Sequence, residues 1–144
     1  LVKHAADPSH PRYRSLLMRH RLEVAAKKGM LADSAMIAHG RGEAYDYLLG
    51  ERTISSAHFA SQVALQSLQQ AEHPVLSVNG NVVALAGDEV LQLAEKLNCP
   101  VEVNIFYRTP ERMHALLSDL MNGKNDLELK SRFLAKTLMR PFLG

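Results

Sequence analysis

Apolar residues recur at helical spacing through the first half of the chain and in shorter clusters through the second. Tyr13, Leu16, Leu17, Leu22, Val24 and Ala25 form an irregular stripe that begins after Pro11 and stops at Lys27-Lys28-Gly29. A proline in the opening turn, lysines against the negative helix end and a glycine beyond them predict a helix over that span. Met30 to Ala38 reads as an apolar-rich connection. Glu43 to Leu49 reads as a short helix closed by Gly50 at the C′ position. From Ser55 or Ser56 as N-cap, a second long helix runs to about Gln70. Its predicted buried face is Ala60, Val63, Ala64, Leu68 and Ala71, with Gln62, Gln66, Gln69 and Gln70 mainly outside.

The pattern changes at Pro74. Val75 to Leu85 contains Asn79-Gly80-Asn81 between apolar runs, and an Asn-Gly pair in that setting signals a β-hairpin. The rival reading makes Val75 to Val78 one buried strand with Asn79-Gly80-Asn81 at its carboxyl end. The residues beyond Leu85 favour the rival. Asp88 to Leu97 is amphipathic with acids in its first turn, Asn98-Cys99-Pro100 breaks it, and Val101 to Phe106 reads as another strand. Thr109, Pro110 and Glu111 then open a helix as N-cap, N1 residue and first-turn acid, with Met113, Leu116, Leu117 and Leu120 inward and an end near Gly123. Strand, helix, strand, helix predicts an α/β fold with a small parallel sheet behind an N-terminal helical segment. Residues 1–123 make that unit, and 124–144 are expected to add a basic amphipathic helix stopped before Pro141.

A chain of 144 residues fits one domain, and 47% hydrophobic with 22% charged residues is ordinary globular composition. No apolar run approaches the roughly 18 residues of a membrane span, and no basic-apolar-small signal opens the chain. It begins on Leu1 rather than methionine, as expected of a fragment or of a chain without its extreme N-terminus. The single cysteine, Cys99, excludes an internal disulfide or a cysteine-rich zinc site and suits a reducing cytoplasm. Net charge is only +2 but unevenly spread: Leu1 to Lys28 is basic by five, the middle acidic, the end basic again. Four Tyr, four Phe and no Trp make a poor case for nucleic-acid binding, which wants exposed aromatics among basic residues.

Candidate chemistry centres on Ile37 to Arg52. Gly40 and Gly42 bracket Arg41, and glycines on both sides of an arginine suit a bent loop that presents backbone N–H groups to phosphate or carboxylate. The plainer reading is a tight connection with a solvated arginine. Arg12, Arg19 and Arg21 lie on the first helix away from its apolar stripe, and Arg19 is the natural companion for Arg41. In a parallel sheet ligands gather outside the strands' carboxyl ends, which places Asn79, Gly80 and Asn81 beside Tyr107, Arg108 and Thr109. His58 and His73 have no second ligand at metal spacing. Among familiar signatures, the phosphate loop Gly-x4-Gly-Lys-Ser/Thr, the full Gly-x-Gly-x-x-Gly fingerprint, His-Glu-x-x-His and Gly-x-Ser-x-Gly do not occur in the sequence.

Several blocks in order carry a resemblance: His10-Pro11-Arg12-Tyr13, Ala38-His39-Gly40-Arg41-Gly42-Glu43-Ala44, Asp46-Tyr47-Leu48, Ala71-Glu72-His73-Pro74, Ser77-Val78-Asn79-Gly80-Asn81 and Phe106-Tyr107-Arg108-Thr109-Pro110-Glu111-Arg112. Together they closely resemble the archaeal phosphopantothenate synthetase, or 4-phosphopantoate–β-alanine ligase, family. The resemblance implies coenzyme A biosynthesis, a Rossmann-like three-layer fold and a cytoplasmic homodimer. It also implies ATP with Mg2+ to join 4-phosphopantoate to β-alanine, releasing AMP and pyrophosphate. The family's ATP-contacting arginines fall on Arg19 and Arg41. Arg41 and His39 are then the catalytic candidates, with His39 either hydrogen bonding to phosphate or serving structure. Asn79, Gly80, Asn81 and Arg108 go to the phosphopantoate end by their strand-end location. Convincing matches stop at Arg112, whereas the family continues for well over a hundred residues with further strands and an Asp-x-Asn-Pro-type loop. Two other readings stay open beside the ligase: a non-catalytic nucleotide- or anion-binding α/β module, and a scaffold acting through its basic first helix.

Overall fold

The computed structural model describes residues 7–122. The helix expected over 124–144 and the stop at Gly123 lie outside the described residues. Five helices and two strands follow in the order α1 (Tyr13–Lys27), α2 (Ser34–Leu48), α3 (Ser55–Gln70), β1 (Leu76–Val78), α4 (Gly80–Leu97), β2 (Val101–Val103) and α5 (Pro110–Asn122). β1 and β2 pair in parallel, with Leu76 opposite Val101, Ser77 opposite Glu102 and Val78 opposite Val103. The hairpin alternative is thereby excluded, because α4 connects the two strands as a crossover. Among the described residues the sheet has two strands. The described residues form an α/β unit in which three helices precede the two-stranded parallel sheet.

Glycine fixes two of the turns. Gly29 (φ +77°) and Gly50 (φ +81°) occupy the left-handed region just past α1 and α2. At each end two backbone bonds close the turn: Met30 N–H to Ala25 O and Gly29 N–H to Ala26 O, then Glu51 N–H to Asp46 O and Gly50 N–H to Tyr47 O. This paired pattern satisfies carbonyls that the helix itself leaves open. The first of these turns delivers Met30 and Leu31 straight into the core.

That core joins Leu22 and Ala25 of α1 to Val78, Val101 and Val103 of the sheet, Val83, Leu91 and Ala94 of α4, and Met113, Leu116 and Leu120 of α5. Cys99 is buried there too and carries no disulfide. α4 bends at Ala86, whose φ of −141° is not helical. Its second limb is the Asp88–Leu97 helix expected from periodicity, and Arg21 Nη2 donates to the Ala84 carbonyl beside the break (3.2 Å). Asn98, left-handed at φ 49°, ends the limb and turns the chain into β2. No helix of the described residues is long and apolar enough to cross a membrane.

Two sequence expectations need correction. The segment expected to be a connection and a bent Gly-Arg-Gly loop is one continuous helix, α2, running through Gly40, Arg41 and Gly42. Helix-forming neighbours such as Met36, Ala38 and Ala44, with tertiary anchors at Ala35 and Glu43, outweigh a cost of about 1 kcal/mol per glycine. The second correction concerns α3. It forms where expected, with Ile54 rather than a serine at the N-cap, but none of its residues is buried. Its apolar side chains face outward, with Phe59 67% and Val63 44% exposed, because no other described element packs closely on it.

Candidate functional site

A cleft of about 570 Å3 opens at the carboxyl ends of β1 and β2. Ser34, Ile37, Ala38 and Arg41 line one wall, spaced i, i+3, i+4 and i+7, so a single face of α2 supplies them. Asn79, Gly80 and Asn81 form the floor where β1 passes into α4, and Asn104 to Tyr107 follow β2 on the other side. Arg112, from the first turn of α5, completes it. Met30, Leu31, Ile37, Ile105 and Phe106 make much of the lining apolar.

Gly80 is required where it sits. A Cβ there would lie 2.7 Å from Leu31 Cδ2 and 3.2 Å from the Met30 carbonyl oxygen, so only a bare backbone lets α4 begin this close to the turn after α1. Asn79 caps α4, its side-chain oxygen accepting from Val82 N–H at 3.0 Å. Asn81 Nδ2 donates to the Ala35 carbonyl at 3.1 Å, tying α4 to α2 across the cleft floor. Its Oδ1 is buried without a hydrogen-bond partner.

Thr109 caps α5 through Arg112 N–H at 3.2 Å, as the Thr-Pro-Glu sequence predicts. The Arg112 side chain turns back so that Nη1 donates to the Tyr107 carbonyl, and its Nε is buried without a partner. Phe106 and Tyr107 meet edge to face with centroids 5.0 Å apart at the rim, and Phe106 is 87% exposed. The two formal charges of the lining are thus both positive, Arg41 and Arg112, set among amides and a helix N-terminus. Such a set favours an anion.

Four of the residues singled out from sequence, Arg41, Asn79, Gly80 and Asn81, meet in this cleft. Three do not line it. Arg19 lies on α1, 40% exposed, with Nε 3.9 Å from Glu23 Oε1 one turn on. Arg108 sits in the turn after β2, its backbone N–H donating to Phe106 O at 3.1 Å. His39 lies beside Glu43 on its own helix: its Nδ1 is 3.4 Å from Glu43 Oε2, and Glu43 Oε1 accepts a short hydrogen bond from Ser15 Oγ of α1. The His39 side chain is only 11% exposed, and its Nδ1 makes no hydrogen bond. Sequence reasoning assigned no role to Arg112 or Asn104. The signal for Arg112 was present, since it is the third residue of a helix whose N-cap follows a strand end.

The sequence profile described as phosphopantothenate/pantothenate synthetase matches residues 56–136, more than half the chain. The chain belongs to that family. The profile reaches past Arg112, so the point at which the motif blocks fade is not the end of the family likeness. Among relatives, the 4-phosphopantoate–β-alanine ligase of Thermococcus kodakarensis is 49% identical over 121 residues, which are 84% of this chain and 46% of that protein. The ligase of Methanosarcina mazei is 48% identical over 111 residues, 77% of this chain and 44% of the relative. That of Methanospirillum hungatei is 51% identical over 108, covering 75% and 44%. This synthetase-family chain therefore spans somewhat less than half the length of the curated relatives it matches.

Proposed function

We propose that this chain is the strand-end portion of an AMP-forming ligase that joins 4-phosphopantoate to β-alanine in coenzyme A biosynthesis. The observation that carries the reading is the convergence of Arg41, Asn79, Gly80 and Asn81 on one cleft, in a member of a family whose relatives bear that ligase name. The carboxylate of 4-phosphopantoate attacks the α-phosphorus of ATP and pyrophosphate leaves. The amine of β-alanine then attacks the acyl carbon of the mixed anhydride and AMP leaves, the amine's proton passing to solvent. Charge on phosphate oxygens must be met in both steps. Fixed guanidinium and N–H donors do this without reorganising as the reaction proceeds.

Arg41 is the ATP-facing cation in this reading. Arg19 joins it by exchanging its exposed Glu23 pairing for phosphate, a contact that costs little to give up. Asn79, Gly80 and Asn81 hold the acid, with Arg108 in the turn that follows the β2 side of the cleft. His39 acts through α2, by holding Glu43 and the helix in place. Mg2+ enters this reading with the phosphates of ATP; among the described residues there is no cluster of three or more His, Cys, Asp or Glu side chains able to hold a metal. A cytoplasmic homodimer is the proposed setting, and the outward apolar face of α3 supports a further partner surface.

The test is AMP formation by the purified chain with Mg-ATP. The ligase reading expects AMP only when 4-phosphopantoate and β-alanine are both present. Equal release without β-alanine counts against it. A second reading rests on the two arginines among the amides of the cleft lining: a nucleotide- or anion-binding module without turnover. That reading expects ATP to raise the melting temperature while no AMP appears.

A further inference from the structure

Two residues that line the cleft each carry a buried polar atom without a hydrogen-bond partner, Nε of Arg112 and Oδ1 of Asn81. One is a donor and the other an acceptor. Buried polar atoms without partners cost stability, and in a cleft they mark where a ligand supplies the missing partner. The Arg112 guanidinium is held by its Nη1 bond to the Tyr107 carbonyl, and its backbone is held by the Thr109 cap. A planar group anchored through one nitrogen has a fixed direction for the edge that carries Nε. That edge matches two oxygens of a phosphate.

We propose that Arg112 is the phosphate-binding residue of the cleft and sets its preference for a phosphorylated over an unphosphorylated hydroxy acid. On the ligase reading, on which the choice of acid rests, Arg41 faces ATP from the α2 wall. The carboxylate that meets the α-phosphorus must therefore point toward α2. The phosphate at the other end of the acid then falls to the α5 wall, where Arg112 and the N-terminus of a 13-residue helix add their positive fields. Asn81 Oδ1 needs a donor, which neither anionic end can supply but the hydroxyl between them can. Apolar Met30, Leu31 and Ile37 suit the acid's branched carbon.

Binding of 4-phosphopantoate, pantoate, inorganic phosphate and Mg-ATP to the full chain tests this, by calorimetry and by the 15N–1H resonance of the Arg112 side-chain Nε. The wild-type chain is expected to bind 4-phosphopantoate about 10- to 100-fold more tightly than pantoate, with a downfield shift of the Nε proton for the first ligand only. Arg112→Gln removes that preference, and Arg112→Lys, which keeps the charge but not the fork, removes most of it. The resonance is read in unmutated protein, so an unstable variant does not blur the result. An unmoved Nε resonance at saturating 4-phosphopantoate, or a preference that survives Arg112→Gln, overturns the assignment and leaves the ligase reading standing. A shift produced by Mg-ATP alone overturns it as well, making Arg112 a nucleotide residue. If inorganic phosphate moves the resonance while 4-phosphopantoate does not bind, Arg112 stands as a phosphate residue and the ligase reading falls. If no phosphate-bearing ligand binds, both fall.

Discussion

Asn81 Nδ2 reaches across from the first turn of α4 to the carbonyl of Ala35 in α2, 3.1 Å away. This bond fixes the spacing between the wall that carries Arg41 and the floor that carries Gly80. Asn81→Ala is expected to lower stability by about 1 kcal/mol, the net worth of a typical intramolecular hydrogen bond. Asn81→Asp is expected to be worse, by about 2 kcal/mol or more, because a carboxylate cannot donate to Ala35 and brings a buried negative charge. Urea denaturation ranks the three proteins. An aspartate variant as stable as the wild type would mean that the amide does not hold the two helices together.

Gly80 and Leu31 make the second test of that spacing. Any side chain at position 80 must push against Leu31 Cδ2, which is the end of a flexible chain, and against the Met30 carbonyl, which is not. Gly80→Ala is therefore expected to cost about 1–3 kcal/mol, as overpacking in a tight core does. Leu31→Ala relieves the first contact and leaves the second. The double variant should recover part of the loss relative to the sum of the single changes, a coupling that chemical denaturation resolves. Strict additivity would place the strain entirely on the backbone of Met30.

Where local chemistry and tertiary packing agree, the sequence was readable. Gly29 and Gly50 end helices as their positions suggest, Thr109-Pro110-Glu111 starts one, and the Val78 and Val103 strand ends bring Asn79 to Asn81 beside the 104–107 loop. Failures came where a residue serves two masters. Gly40 and Gly42 look like loop formers in isolation, but α2 is held from outside through Ala35 and Glu43, which no window of sequence around the glycines reveals. The apolar stripe of α3 was correctly periodic, yet periodicity says which residues share a face and not whether anything covers it. The neighbours of His39 in sequence suggest phosphate, whereas helical geometry sets it beside Glu43, one turn on, and off the cleft lining that Arg41 joins.

The helical setting of Gly40 and Gly42 has a direct consequence. A Cβ built on either residue meets nothing within 4 Å, and neither has a positive φ. Gly40→Ala and Gly42→Ala are each expected to stabilise the chain by about 0.5–1 kcal/mol, through higher helix propensity and a less flexible unfolded state. A rise in the urea midpoint without change in slope is the measurement. Destabilisation at either site would restore the bent-loop reading of this segment. If both variants are stabilised but bind ATP more weakly, the glycines serve close approach of the nucleotide to the α2 backbone.

Arg41 and Arg19 differ in ways that predict unequal effects. Arg41 shares its helical face with the cleft residues Ser34, Ile37 and Ala38, whereas Arg19 is paired with Glu23 on α1 and does not line the cleft. Neither arginine lies in the core, so alanine at either position is expected to leave stability within about 0.5 kcal/mol of wild type. For ATP, Arg41→Ala is expected to lower affinity about 10- to 100-fold, as loss of a charge-assisted contact does. Arg19→Ala alone should have a smaller effect, because Arg19 must first give up Glu23. Glu23→Gln removes that competitor and is expected to strengthen ATP binding, but only while Arg19 is present. Calorimetric titration of these variants and the Arg19/Arg41 double variant separates the roles. If Arg19→Ala is silent and Glu23→Gln has no effect, the phosphate contacts belong to the cleft alone and Arg19 is a surface residue.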